Sequence, residues 1–250
     1  DTLHQLLDTI RRFVRNRLMP LEEQVASTDQ IPESVISEMR ELGLFGLTIP
    51  EEYGGLGLNT EEECKVAIEL GYTSAAFRSV IGTNNGIGSQ GLVMDGTDDQ
   101  KENYLPRLAS GEIIGSFALT EPNVGSDSAN VQTKAEKDGD SYILNGTKRW
   151  ITNANIANLF TVFARTDQSQ KGSSGVSAFL VDANTPGISL SSKYKKMGQQ
   201  GAHVCDVIFD NCRVPEVNII GGPNNVNNGF KTAMKTLDRG RIHISAFAVG

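Results

Sequence analysis

Two stretches of this 250-residue chain carry groups able to hold a ligand. Residues 117–127 read FALTEPNVGSD, and residues 150–154 read WITNA. In the first, Phe117 and Leu119 lead into Thr120, a Glu121-Pro122 break and a Gly125-Ser126-Asp127 close. The end of a strand beside a proline leaves backbone N–H and C=O groups that no neighbouring strand takes. Thr120, Ser126 and Thr152 add hydroxyls that both donate and accept. Trp150, the only tryptophan, supplies a broad flat surface with a single donor. An aromatic wall beside an edge of amides and hydroxyls is what a flat heterocycle with a hydrogen-bonding rim requires. A purely structural role accounts for the same residues: a lone Trp on a strand packs a core, and Gly-Ser-Asp makes a turn.

Other candidate chemistries are weaker. Residues 86–91, GIGSQG, fit the glycine pattern of a nicotinamide-dinucleotide loop. The segment after them reaches only Asp95 before Gly96, the next acidic residue after a strand is about 30 positions on where ~20 is expected, and no βα alternation follows. Close packing of small residues is the better reading. His4, His203 and His243 show no ligand spacing, so no metal is expected. Cys64, Cys205 and Cys212 form an odd, sparse set that suits a reducing compartment, with Cys205 and Cys212 as buried small hydrophobes.

The elements that would position these groups change character near residue 113. Before it the spacing is helical: Leu3 to Leu18 form one stripe that Pro20 stops, Pro32 opens a second helix ended by Gly43, and a third follows Asn59-Thr60. A fourth is expected over residues 73–94, and a fifth from Thr97, with Gln100 at capping-box spacing, to about Leu108. Tyr53 reads as a packing anchor after the second helix. From Ile113 the period becomes 2, with about seven strand-length runs and no helix between them. Asp138-Gly139 and Asn145-Gly146 read as type I′ hairpin turns. After Pro223 the chain returns to helical character. The fold class expected is α+β multi-domain: a helical domain (residues 1–112), an antiparallel β-barrel or sandwich (113–224) and the first helix of a further, incomplete helical domain (225–250).

Net charge is −7, divided as −10 over residues 1–112 and +3 over 113–250. The acidic total argues against nucleic acid as a partner, and the basic second part favours an anionic ligand there. No run of about 18 apolar residues occurs, so no membrane span is expected. The first 18 residues have helical periodicity rather than the form of a secretory signal.

Five long motifs, in order along the chain, resemble the acyl-CoA dehydrogenase family: PEEYGGLG (50–57), SFALTEPNVGSD (116–127), YILNGTKRWITNA (142–154), DVIFDNCRVP (206–215) and LDRGRIHISAFAVG (237–250). The resemblance implies an FAD-dependent α,β-dehydrogenation of an acyl-CoA thioester in fatty or branched-chain acyl metabolism, with electrons passed to an electron-transfer flavoprotein. By the same resemblance Phe117, Leu119 and Thr120 line the flavin, Gly125 and Ser126 lie by its phosphate-bearing chain, Trp150 covers the ring, and Ile151 and Thr152 lie at its edge. Ser126, Asp238 and Arg241 contact the acyl-CoA. The resemblance further implies a homotetramer or homodimer, and the helical N-terminus with its sparse cysteines leads to the expectation of a bacterial cytoplasm or, in a eukaryote, the mitochondrial matrix. The chain departs from the minority of the family that places its base at the position of Gly240, so no catalytic residue is expected in this chain and a base Glu is expected beyond residue 250. Glu121 reads as a loop-shaping residue, and Glu112 with Glu61, Glu62 and Glu63 as solvated helix charge. Lys193, Lys195 and Lys196 read as a solvated strand edge. An acyl-CoA oxidase using O2 and a non-catalytic acyl-CoA-binding paralogue share the same motifs, and a plain β-sandwich interaction module would leave their order unexplained.

Overall fold

Pro20 does not end the first helical path. In the computed structural model, which describes residues 2–250, α1 (Thr2–Phe13) passes through a widened turn at Val14–Leu18 and a tight one at Met19–Leu21 into α2 (Glu22–Thr28). Proline is tolerated there because it opens the tight turn, where its missing N–H costs nothing. α3 (Glu33–Glu41) follows Pro32. α4 (Thr60–Leu70) begins with a reciprocal cap: the Asn59 side chain accepts from Glu62 N at 3.1 Å, and the Glu62 carboxylate accepts from Asn59 N at 3.0 Å.

The helix expected over 73–94 is two, α5 (Ala75–Asn85) and α6 (Gln90–Asp95), broken at the glycines. α7 (Asp98–Ala109) carries the expected Thr97–Gln100 capping box. At the break, a Cβ on Gly88 would lie 2.8 Å from Thr83 O and 3.0 Å from the Gly115 carbonyl carbon. GIGSQG is therefore where a helix end presses on the sheet, as the packing reading expects.

Seven strands follow among the described residues: β1 (Gly115–Ala118), β2 (Lys134–Asp138), β3 (Ser141–Thr152), β4 (Leu159–Arg165), β5 (Val176–Asp182), β6 (Ile188–Leu190) and β7 (Val204–Pro215). They form one curled sheet in the order β1-β4-β2-β3-β7-β6, with β5 also on β4. β2–β3, β3–β7, β4–β5 and β6–β7 are antiparallel; β1 runs parallel to β4, as does a single β2–β4 bridge. Asn145-Gly146 does not turn the chain. β3 continues through it for 12 residues, with a register shift between Leu144 and Gly146. Gly146 has φ +155°, and a Cβ there would fall 2.8 Å from Thr133 Cα, so the strand bends as a bulge instead of reversing. At the β2–β3 hairpin only Gly139 of the two linking residues has positive φ (+63°), the pattern of a type II′ turn rather than I′.

α8 (Gly229–Val249) lies along α4 and β5. One apolar cluster fills the helical part, and a second covers one face of the sheet. A third, including Leu105, Leu108, Leu119, Phe163, Leu180 and Ala233, seals the other face against α7 and α8, with Tyr53 packed on it as expected. Among the described residues no helix is long and apolar enough to cross a membrane.

Candidate functional site

The bend at Gly146 sends the second half of β3 toward the end of β1, and the two motifs meet there. Arg149 N donates to Thr120 O at 2.8 Å, and the Ser116 hydroxyl donates to Thr152 O. Lys148 Nζ donates to Leu119 O at 3.2 Å and to Glu121 Oε1 at 2.7 Å. Glu121 is itself buried and also accepts from Gln132 N (2.7 Å), Thr133 N (2.9 Å) and the Thr133 hydroxyl (2.6 Å). Burial opposes its ionisation, but the Lys148 ammonium and these donors more than offset that and hold the carboxyl below the usual range. Burial lowers Lys148 to about 8 against the pull of Glu121, so the lysine stays charged at neutral pH. Glu121 shapes the loop, with three donors on Oε1 and one on Oε2.

A second bulge, between Lys148 and Ile151, puts Trp150 at φ +56°. Asp206 fixes it, accepting from Trp150 N at 3.3 Å, from the Tyr194 hydroxyl at 3.0 Å and from Arg149 Nη2 at 3.3 Å. The indole is 59% exposed, so the core explanation for this Trp fails. Phe117 is half-buried against Phe163, with ring centroids 4.9 Å apart. Leu119 and Ile151 bury their side chains and offer only backbone. Among the described residues the hydroxyls of Thr120, Ser126 and Thr152 and the indole N–H of Trp150 have no hydrogen-bond partner. Gly125 and Ser126 lie exposed on the loop, where a Cβ at Gly125 would meet nothing within 4 Å. An exposed ring beside several unpartnered hydroxyls fits a flat cofactor with a polar edge.

Thr152 also lines a cavity of about 360 Å³ between β3, α5 and α8. Gly240 and Arg241 reach it from α8, and Ile87 and Leu237 give it apolar walls. Arg241 pairs with Asp238 on the surface, and Asp238 does not line the cavity. Glu63 does, and it is 2% exposed; reading it as solvated was wrong, although Glu61 is exposed and Glu62 only half-buried. Arg239 Nε donates to Glu63 Oε2 at 3.1 Å, and His243 Nδ1 lies 2.9 Å from Oε1. Burial opposes the charge of Glu63, but His243 and Arg239 hold its carboxyl below the ordinary range. A carboxylate so committed is a poor base.

Sequence reasoning missed Glu63, Arg78, Lys148 and His243, though faint signals existed. Glu63, Val66, Ala67 and Leu70 fall at i, i+3, i+4 and i+7, so Glu63 sits on the buried stripe of α4. Lys148 shares strand parity with the core residue Leu144. Elsewhere the cysteines are free, and burial raises the Cys212 thiol to about 11. Lys193 is tied to Asp29 at 2.6 Å. Among the described residues no group of three His, Cys, Asp or Glu could hold a metal.

An α-helical part, a curled sheet with a polar-edged aromatic rim and a further helix closing a cavity make up one multi-domain architecture. Residues 1–112 match the acyl-CoA dehydrogenase N-terminal domain and residues 116–212 its middle domain. The chain belongs to the acyl-CoA dehydrogenase family. It is 40% identical over 243 residues to a probable acyl-CoA dehydrogenase of Bacillus subtilis (strain 168), covering 97% of this chain and 63% of that protein. Butyryl-CoA dehydrogenase from Megasphaera elsdenii superposes with a TM-score of 0.92 at 33% identity, over 99% of this chain and 64% of that one. An acyl-CoA dehydrogenase complexed with FAD from Bacillus anthracis gives a TM-score of 0.87 at 33% identity, over 98% of this chain and 42% of that one. The chain thus spans about three-fifths of the length of the curated relatives it matches.

Proposed function

We propose that the protein containing this chain is an FAD-dependent acyl-CoA dehydrogenase that converts an acyl-CoA to its trans-2-enoyl-CoA. The carrying observation is that Thr152, on the rim of unpartnered hydroxyls beside Trp150, also lines the cavity closed by Gly240 and Arg241 of α8. One wall of the site is thus ready for a flat cofactor and the adjoining space for a chain. When bound, FAD supplies a hydride acceptor at the acyl β-carbon.

This chain's residues bind and orient. Phe117, Leu119 and Ile151 offer backbone groups, and Thr120 and Thr152 offer hydroxyls, to the ring edge; Trp150 covers one face. Fixed donors at that edge stabilise the negative charge a hydride brings. Gly125 and Ser126 serve the phosphate-bearing arm, and Ser126, Asp238 and Arg241 serve the CoA. Ile87 and Leu237 keep water from the reacting carbons, which strengthens each polar contact there. The carboxylates near the site are engaged with cations, and Gly240, which faces the cavity, has no side chain. The family resemblance implies a Glu beyond residue 250 as the base, and the engaged carboxylates here leave that role to it. Electrons leave to an electron-transfer flavoprotein, from a homotetramer or homodimer in a reducing compartment, bacterial cytoplasm or mitochondrial matrix. The three regions 1–112, 113–224 and 225 onward act as its domains.

Anaerobic addition of acyl-CoAs to the purified full-length protein tests this reading. It predicts a yellow protein whose colour bleaches. A protein that takes up no FAD contradicts it, and in a parallel assay in air hydrogen peroxide formed from O2 without a flavoprotein acceptor assigns an oxidase instead.

A further inference from the structure

The charges around the cavity do not balance. Arg239 is fully occupied: Nε binds Glu63, Nη1 donates to Gln90 Oε1 at 3.0 Å, and Nη2 donates to Leu58 O at 3.3 Å. Arg78, on α5, has no such set. Its Nε donates to His243 Nε2 at 3.0 Å, and neither Nη has a partner among the described residues. For Nε2 to accept, the imidazole carries its proton on Nδ1, the nitrogen facing Glu63. One carboxylate therefore stands against two guanidiniums with a neutral ring between them, leaving a single positive charge at the cavity wall. The desolvated surroundings lower the pKa of Arg78, which would be relieved by an anion.

The position is built rather than incidental. A Cβ on Gly82, one turn along α5, would lie 2.8 Å from both Cζ and Nη1 of Arg78. The missing side chain leaves room for the guanidinium to lie along the helix, where Arg78 and Gly82 both line the cavity. A desolvated guanidinium without a counter-ion is costly at a cavity wall, where a leucine or methionine would carry no such cost. A planar fork with two free donors matches a carboxylate.

We propose that Arg78 receives a second carboxylate carried by the acyl group, so that the substrate is the CoA thioester of a dicarboxylic acid. This rests on the acyl-CoA dehydrogenase reading and names the substrate class of the same site. The single net charge of the cluster suits a monoanion. The CoA phosphates, common to every acyl-CoA, are the other possible source of the anion.

The test compares glutaryl-CoA with pentanoyl-CoA, and adipyl-CoA with hexanoyl-CoA, on the full-length protein. Both kcat/KM and the Kd of each thioester under non-turnover conditions are measured. The proposal predicts a preference for the carboxylated member on the order of a hundredfold, because a site built for a polar group rejects the analogue lacking it. Arg78→Met should remove or invert the preference, and Arg78→Lys should restore part of it. Gly82→Ala provides a variant that keeps the charge and favours the helix; its Cβ must push the guanidinium aside, so the preference should fall while the melting temperature holds. Equal handling of both members of a pair, with bleaching by each, overturns the proposal and leaves the dehydrogenase reading intact. Equal weakening of both members by Arg78→Met assigns the arginine to CoA phosphate and also overturns it. Neither binding nor bleaching with any thioester overturns both.

Discussion

Glu121 and Glu63 are both buried carboxylates held ionised by cations, yet they belong to opposite kinds of network. Around Glu121 the donors number four and the charge closes: Lys148, wholly buried, is its counter-ion, and the remaining lone pairs take Gln132 and Thr133. Around Glu63 the charge stays open, because Arg239 consumes the carboxylate and Arg78 is left facing the cavity. A closed network fixes backbone. An open one is a receptor. Here the closed network sets the loop at residues 119–121 and the open one forms part of the cavity wall reached from Thr152.

The sharpest way to break the comparison is at the closed pair. Lys148→Met leaves Glu121 buried without its cation, and denaturant unfolding should show a loss of about 3–5 kcal/mol. A loss below about 1 kcal/mol would mean the pair is not what holds the loop. Glu63→Gln should cost less, about 1–3 kcal/mol, because Arg239 keeps Gln90 and Leu58 as acceptors. The same variant should tighten binding of the carboxylated thioesters, since it adds to the excess positive charge; weaker binding would count against an open cationic wall.

Asp29 supplies an intermediate case, half-exposed and tied to Lys193 and to Gly201 N. The Lys193 hydrogen bond, with that from Gly201, lowers its carboxyl from 3.8 to about 2. A carboxyl depressed in the folded state contributes stability that is complete above its unfolded pKa and is lost as pH falls through the folded one. Asp29→Asn, which tolerates the left-handed φ of +52° at this position, should therefore cost under about 1 kcal/mol at neutral pH. The difference from the unmodified protein should shrink between pH 3.8 and about 2. A difference constant across that window would refute the assignment. Smallest of all in stability is Trp150→Ala: unfolding of the FAD-free protein should change by less than about 0.5 kcal/mol, as for an exposed side chain. FAD affinity should fall about tenfold, the worth of one aromatic contact. A large drop in melting temperature with unchanged FAD affinity would return Trp150 to the core.

Much of this was legible in the residues because local chemistry agreed with the final fold. The caps at Asn59 and Thr97 and the change of period near residue 113 follow from hydrogen-bonding side chains and alternation, whereas the pairing of residues 117–127 with 150–154 rests on the family resemblance. What failed was decided at long range. Asn145-Gly146 has the chemistry of a hairpin, but β2 and β7 both pair along β3 and carry it straight through as a bulge. Gly86–Ser89 breaks a helix because the sheet lies against it. Glu63 looked solvated beside Glu61 and Glu62, and only the packing of α8 brings Arg239 and His243 to it, 176 and 180 residues along the chain.

The most direct measurement is an anaerobic titration of the full-length, FAD-loaded protein with an acyl-CoA panel, followed by the loss of flavin colour. The account predicts stoichiometric bleaching and formation of the 2-enoyl thioester. Colour that persists with every acyl-CoA, in a protein that retains FAD, would contradict it.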